Sequence, residues 1–179
     1  MQPTLSLEQG ASDVYIVLAG VTPHGYSPIN IGAWFYPLLT AMNTDAIQFK
    51  DTRDISIDGL IALYKANGWS SAEKPDLLHQ ALMASHSLVS AWDGDRLVGL
   101  GNTLSDGHLV VYYSHMLVLP EYQGRGIGTR LMQMLMARYQ GFHQHILVAD
   151  GRAVEFYRKH GFKRAGKTEP MWIYAGHDH

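Results

Sequence analysis

The sequence predicts an α/β fold, α+β-like because most of its sheet is antiparallel: a mixed, mostly antiparallel sheet with one parallel β-α-β crossover and helices on both faces. Three observations predict it. Apolar runs at 88–92, 96–103 and 109–119 are separated by Asp93-Gly94-Asp95 and Ser105-Asp106-Gly107, and Asp-Gly pairs between such runs favour antiparallel hairpins. Ile127, Leu131, Leu135 and Tyr139 then repeat at helical spacing between the last of these runs and a further one at 145–149, which implies a right-handed parallel crossover. Two amphipathic helical stripes precede the meander, and a third short one follows the crossover.

The elements follow in order. Residues 46–50 read as a short strand. Ile57, Leu60, Ile61 and Tyr64 form a helical stripe, with Ser56 as its N-cap and Asn67-Gly68 as its stop. Pro75 opens a second helix that turns Leu78, Leu82 and Leu77 inward and ends near Ser85. After the meander, Pro120 ends the third run by removing a donor, and a helix spans 126–139. A short helix at 152–160 stops at Gly161, and 162–165 with 171–174 read as closing antiparallel strands. Met132, Met134 and Met136 cannot share one helix face, so core packing plus surface accounts for them. Tyr112 and Tyr113 straddle the two faces of a strand, and at most one faces a pocket.

Composition narrows the function. A chain of 179 residues with net charge −2 is one domain by size and has no electrostatic footprint for nucleic acid. No basic amphipathic helix suggests a membrane surface. The absence of cysteine removes disulfides, zinc–thiolate sites and a cysteinyl intermediate, and it fits a cytoplasmic setting. His143 and His145 share a face if that stretch is extended, and His177 and His179 flank Asp178. No three-ligand spacing with a carboxylate occurs within one element, so no metal site is expected. The first 49 residues hold no Lys or Arg, and their apolar runs at 15–21 and 33–39 are too short to span a bilayer. Residues 1–45 thus stand apart from a domain at 46–175 and a tail at 176–179. They read either as an appended strand-and-loop segment or as an over-long start with Met42 the true first residue, the second being favoured.

The chemistry gathers at Gln123-Gly124-Arg125-Gly126-Ile127-Gly128, between a strand and a helix. A glycine-rich turn there sets several backbone N–H groups at the positive end of the helix, a site shaped for a diphosphate. Side chains at the glycines would hold phosphates away from the main chain. The pattern alone is also met as a tight turn without a ligand. A dinucleotide fold of the Rossmann type is disfavoured, because the turn follows an antiparallel meander and no ribose-binding acid is evident downstream.

With these elements in this order, Val118-Leu119-Pro120-Glu121-Tyr122-Gln123-Gly124-Arg125-Gly126-Ile127-Gly128 and Ala153-Val154-Glu155-Phe156-Tyr157-Arg158-Lys159-His160-Gly161-Phe162 resemble the GNAT superfamily of N-acetyltransferases, over roughly 46–174. Leu63-Tyr64, Gly68-Trp69, Leu97-Val98-Gly99-Leu100 and Ser105-Asp106-Gly107 also look like a branch of short members, some of which acetylate arylalkylamines or protein lysines. The resemblance implies the acyl-CoA N-acyltransferase architecture and acetyl-coenzyme A as cofactor. Its diphosphate would rest on the N–H groups from Gln123 through Gly124, Arg125, Gly126, Ile127 and Gly128 to Thr129, with Arg125 and Arg130 supplying charge. The strand ending at Val118 would splay from its neighbour, so that Met116, Leu117 and Val118 pair with the pantetheine arm, and one N–H would polarise the thioester carbonyl.

Tyr157 falls on the family's general-acid position. His115 stands where the family often has Asp or Glu; at its ordinary pKa of ~6.5 it would serve as general base, since an alkylammonium near ~10.4 must lose a proton before attack. Asp150 stands where Asn is common and reads as an N-cap ahead of a cofactor contact. Asp106 reads as shaping its turn, and Tyr64 with Trp69 as lining an acceptor pocket or closing a buried helix end. The implied activity is acetyl transfer to a primary amine of a small molecule or protein, in a chain able to form a homodimer through its closing strands. A coenzyme A-binding module without turnover is the alternative.

Overall fold

Asp93-Gly94 and Asp106-Gly107 turn the chain as their composition dictates, and the sheet is built around them. The computed structural model describes residues 5–10, 13–18 and 47–177, and the chain divides into two compact units, Met1–Thr44 and Asp45–His179. In the first unit β1 (Leu5–Gly10) pairs antiparallel with β2 (Asp13–Leu18). The apolar run at 33–39, the proposed start at Met42, Ala46 and His179 lie outside the described residues.

In the second unit, β3 (Gln48–Lys50), β4 (Ser87–Asp93), β5 (Arg96–Ser105), β6 (Val110–Val118) and β7 (Gln144–Leu147) form a five-stranded sheet in that spatial order. All neighbours are antiparallel except β6 and β7, which run parallel. The mostly antiparallel sheet with one crossover is the predicted fold class. Before the meander come α1 (Ile57–Ala66) and α2 (Pro75–Met83); α3 (Ile127–Ala137) makes the crossover and α4 (Ala153–Lys159) follows β7. Ser56 caps α1, accepting the Gly59 N–H at 3.2 Å, and Pro75 opens α2. Asp106 holds its turn by accepting the amides of His108, Leu109 and Val110 at 2.9, 2.9 and 3.0 Å. Those three bonds bring its carboxyl down to about 2. Its contribution to stability is therefore present above the ordinary value of 3.8 and lost as pH falls through about 2.

Helices cover both faces. Gly99 and Gly101 of β5 face α3, where a Cβ on Gly99 would stand 3.1 Å from Leu131 Cδ1, 3.2 Å from the Leu117 carbonyl oxygen and 3.3 Å from Ile127 Cγ2. Gly99 lets helix and sheet approach, and Gly99→Val is expected to destabilise the fold by about 1–3 kcal/mol, read as a lower urea midpoint. A shift in register between Ala91 and Trp92 turns Leu97 to the opposite face, against Gly59 of α1. Tyr139, 1% exposed, closes the crossover, its hydroxyl meeting His86 Nδ1, Thr103 Oγ1 and Ser87 Oγ at 2.8, 2.6 and 2.7 Å. Of the methionines on α3, Met132 is buried while Met134 and Met136 pack at its margin.

Two expectations fail. Leu77 is 63% exposed: the inward stripe of α2 is Leu78 and Leu82, four apart, and Leu77 lies one residue off it. Neither 162–165 nor 171–174 is a strand. Phe162 does pack, edge-on to Tyr113 and Tyr157, but Lys163-Arg164-Ala165-Gly166-Lys167 gives little apolar surface to bury, and the Thr168 amide closes a turn on Ala165. The following segment lies along the 3₁₀ turn Ser70–Glu73, with Tyr174 Oη 3.3 Å from Ser70 Oγ and His177 Nε2 3.5 Å from Glu73. Among the described residues the sheet ends at β7 and takes up neither segment as a strand.

Candidate active site

The turn before α3 has the geometry its glycines suggested. Gly124 and Gly126 adopt φ of 76° and 83°, and a Cβ at either would meet no atom within 4 Å. Their glycines therefore serve backbone conformation and an open approach rather than packing. Gly126 is the N-cap of α3 and has no side-chain cap; the first turn carries no acidic residue. The Arg130 amide bonds the Gly126 carbonyl at 3.0 Å, so the amides of Ile127, Gly128 and Thr129 are the helix's uncompensated donors. Arg125 lies over the Tyr122 ring at 5.0 Å, and Tyr122 donates to Asp93 at 2.6 Å. Open space, free amides and a guanidinium beside them fit an anionic diphosphate.

The edge of β6 supplies the second part. Pairing with β7 ends at Tyr113–Leu147, while pairing with β5 continues to Val118. From Ser114 to Val118 the β7-facing edge of β6 is therefore unpaired by its parallel neighbour. The Leu119 amide bonds Val98 in β5 at 2.9 Å, and alternation then turns Leu117 toward β5 and Met116 and Val118 toward the open edge. Gln123 Nε2 donates to the Val118 carbonyl at 3.0 Å. The edge is thus tied to the glycine turn, leaving the main-chain groups of Met116 and the Val118 N–H for an extended partner. Gly128 joins the two parts, with Phe156 of α4 at 3.5 Å and Val118 at 3.7 Å from where its Cβ would be.

On the α1 face of β6 sits His115. Its Nδ1 is 2.7 Å from the Tyr64 hydroxyl, and the rings of Tyr64 and Trp69 stand edge-on to it at 5.6 and 5.1 Å. Burial lowers its pKa to about 4. The unshifted value invoked from the sequence is therefore not what the fold provides, because two aromatic rings replace the water that would solvate an imidazolium. Ser114 is bulged out of the β5–β6 register, and Asn102 answers the bulge: its Oδ1 accepts Ser114 Oγ and the His115 amide at 3.0 and 3.1 Å, and its Nδ2 donates to Ser85 Oγ at 2.7 Å. Asn102 and Ser114 were not marked by the sequence, which carries no local signal for a bulge set by a neighbouring strand.

Tyr157 lies on α4 between Phe156 and Phe162, with ring centroids at 5.1 and 6.0 Å. Burial, then the neighbouring Tyr112, pushes its pKa up to about 12. Its hydroxyl has no hydrogen-bond partner among the described residues, where Ser71 Oγ is the side-chain polar atom both buried and unpartnered. The Tyr157 hydroxyl therefore reaches accessible space. Asp150 does not cap α4. The N-cap position is Arg152, without a side-chain bond, and Asp150 contributes its main-chain carbonyl to the Ala153 amide at 3.0 Å. Gly151, at φ 48°, turns the chain between Asp150 and the helix, so that Asp150 stands two residues ahead of the capping position. Among the described residues no group of three potential metal ligands converges, and no helix is long and apolar enough to cross a membrane.

An Acetyltransferase (GNAT) domain model matches residues 52–171, which spans the sheet, the glycine turn and α4. The chain belongs to the GNAT acetyltransferase family. A GNAT-family acetyltransferase from Streptococcus pneumoniae TIGR4 superposes with a TM-score of 0.64 at 32% identity, over 73% of this chain and 99% of that one. The histone acetyltransferase TAP1 of Glycine max is 30% identical over 146 residues, 74% of this chain and 63% of its own length. The chloroplastic GCN5-related N-acetyltransferase 2 of Arabidopsis thaliana is 34% identical over 95 residues, 48% of this chain and 37% of its own. The chain thus spans less than two thirds of these two curated relatives. GNAT acetyltransferases take acetyl-coenzyme A as donor.

Proposed function

We propose that this GNAT protein is an N-acetyltransferase that moves acetyl from acetyl-coenzyme A to a primary amine by direct attack in a ternary complex. The observation that carries the reading is the departure of β6 from β7 beyond Tyr113–Leu147, beside an α3 terminus whose first-turn amides have no cap. When bound, the carrier supplies an acetyl thioester. The amides of Gly124 to Thr129, with Arg125 and Arg130, hold its diphosphate, and the open edge at Met116 and Val118 takes its amide-bearing arm as a strand would be taken. The Val118 N–H, which points to the open edge nearest the glycine turn, would be the donor for the thioester oxygen. Tyr157 keeps its proton at neutral pH and offers it toward the departing sulfur.

The amine's proton needs another route. Transfer from an alkylammonium near ~10.4 to an imidazole at about 4 is uphill by roughly six pH units, so His115 does not take the ammonium proton ahead of attack, and the amine enters from the neutral fraction present in solution. The same finding favours the second reading, a coenzyme A-binding module without turnover, in so far as a working base defines an enzyme here. In the first reading the enzyme acts in the cytoplasm on a small-molecule or protein amine, without nucleic acid or membrane. An amine-panel assay of thiol release, run beside a calorimetric titration with coenzyme A, separates the two. Binding with turnover of at least one amine is expected; tight binding with every amine refused selects the module, and no binding removes both.

A further inference from the structure

The Tyr64–His115 pair has a consequence for substrate choice. Tyr64 is fully buried and its hydroxyl has one partner, His115 Nδ1 at 2.7 Å. If Nδ1 carried the proton, the Tyr64 O–H would be left without an acceptor inside the protein, an arrangement that forfeits a buried donor. With Tyr64 donating instead, Nδ1 is the acceptor and the imidazole proton is on Nε2. Burial raises the Tyr64 phenol far above its ordinary range, so it remains a donor. Nε2 has no partner among the described residues, yet it is not among the buried unpartnered atoms and therefore reaches open space. No charged group acts on the ring, whose shift arises from burial alone. Asn102 fixes the His115 main chain through the bulge, and Trp69 flanks the ring at 5.1 Å.

We propose that His115 is a neutral hydrogen-bond donor, its proton set on Nε2 by Tyr64, and that it recognises a carbonyl oxygen of the acceptor amine beside an aromatic or apolar group lodged against Trp69. This rests on the acetyltransferase reading and replaces the role of base with one of selection. An uncharged donor between two aromatic rings favours an oxygen next to an apolar body, and its Nε2–H accepts no hydrogen bond from a second ammonium. Amines of the amino-acid amide or peptide type fit it; simple diamines do not.

Phenylalaninamide and phenethylamine, which differ by one carboxamide, test the assignment. The wild-type protein is expected to favour the amide by about tenfold in kcat/KM expressed per unprotonated amine, which removes the lower pKa of an α-amino amide from the comparison; tenfold is the scale of one hydrogen bond. His115→Ala should bring that ratio to about one. His115→Gln, whose amide N–H replaces Nε2–H but which cannot act as an imidazole base, should keep most of it. A ratio untouched by His115→Ala, or a Gln variant no better than Ala, overturns the proposal. Nitrogen-15 spectra of the histidines give a readout independent of turnover: His115 should show the Nε2–H tautomer and stay neutral to below pH 5. The Nδ1–H tautomer, or protonation near pH 6.5, overturns it equally. If no amine is turned over, the acetyltransferase reading fails by itself. Calorimetry of the same two amines on the coenzyme A-loaded protein then decides whether His115 still selects the carbonyl.

Discussion

Replacing Gly126 with Val is expected to weaken coenzyme A binding by at least about a hundredfold while leaving a folded protein. At φ 83° an L side chain costs roughly 1–2 kcal/mol, and a β-branched one sits at the high end. The turn relieves that strain by rotating, which swings the amides of Ile127, Gly128 and Thr129 away from their common focus. The added isopropyl group also enters space that is now empty, with nothing within 4 Å of the Cβ position. Each charge-assisted bond to an anion is worth about 1.5–3 kcal/mol, and a hundredfold change in affinity is about 2.7 kcal/mol, so loss of one or two such bonds suffices. Gly141→Val is the control. Gly141 has φ 84° and equally open surroundings, but it lies after α3, so the strain is reproduced without touching the terminus. Calorimetry with coenzyme A and thermal melts of both variants check the expectation. Matched melting temperatures with affinity lost in Gly126→Val alone is the anticipated pattern; undiminished affinity there removes the glycine turn from the site.

The sequence was most informative where the determinants of a feature lie within a few residues of one another. The Ser56 cap, the Pro75 start, the two Asp-Gly turns and the glycine turn each depend on local backbone preferences, and each is where the periodicities placed it. The crossover was legible because Ile127, Leu131, Leu135 and Tyr139 bury one stripe between two apolar runs. What escaped depends on distant partners. Whether 171–174 becomes a strand is settled by an available edge, and Met171 and Ile173 stay exposed although their composition suits one. The Ser114 bulge follows from the register of β5 against β6 and is held by Asn102, twelve residues away. The chemistry of His115 follows from Tyr64, separated from it by 51 residues. A motif could mark that histidine's position on the strand but not the rings that strip its water.

Removing one hydroxyl, by Tyr157→Phe, is expected to lower kcat by about a hundredfold with little change in KM for acetyl-coenzyme A. The ring contacts with Phe156 and Phe162 survive the change, and the lost hydroxyl has no protein partner to orphan, so stability should hold. The magnitude is bounded by acidity. A phenol at about 12 gives a proton to a thiolate whose conjugate acid is near ~8.5 only against roughly 3.5 pH units, about 5 kcal/mol. Full transfer ahead of bond cleavage is therefore excluded, and Tyr157 acts by a hydrogen bond that strengthens as charge grows on sulfur. That is the lower end of general-acid effects, ~10²-fold. The sign of the pH dependence follows from the same shift. Because the folded value lies above the ordinary 10.0, the neutral form is favoured in the native state. Its stabilising contribution is complete below pH 10 and lost as pH rises through about 12. Between pH 6 and 10 the phenol stays protonated, so the deficit of the Phe variant should be constant across that range. Steady-state kinetics at several pH values check it. A Phe variant as fast as the parent would take proton donation away from Tyr157, whereas a deficit that fades steadily from pH 8 to 10 would mean that the phenol ionises within that interval and that its burial does not hold the proton in place.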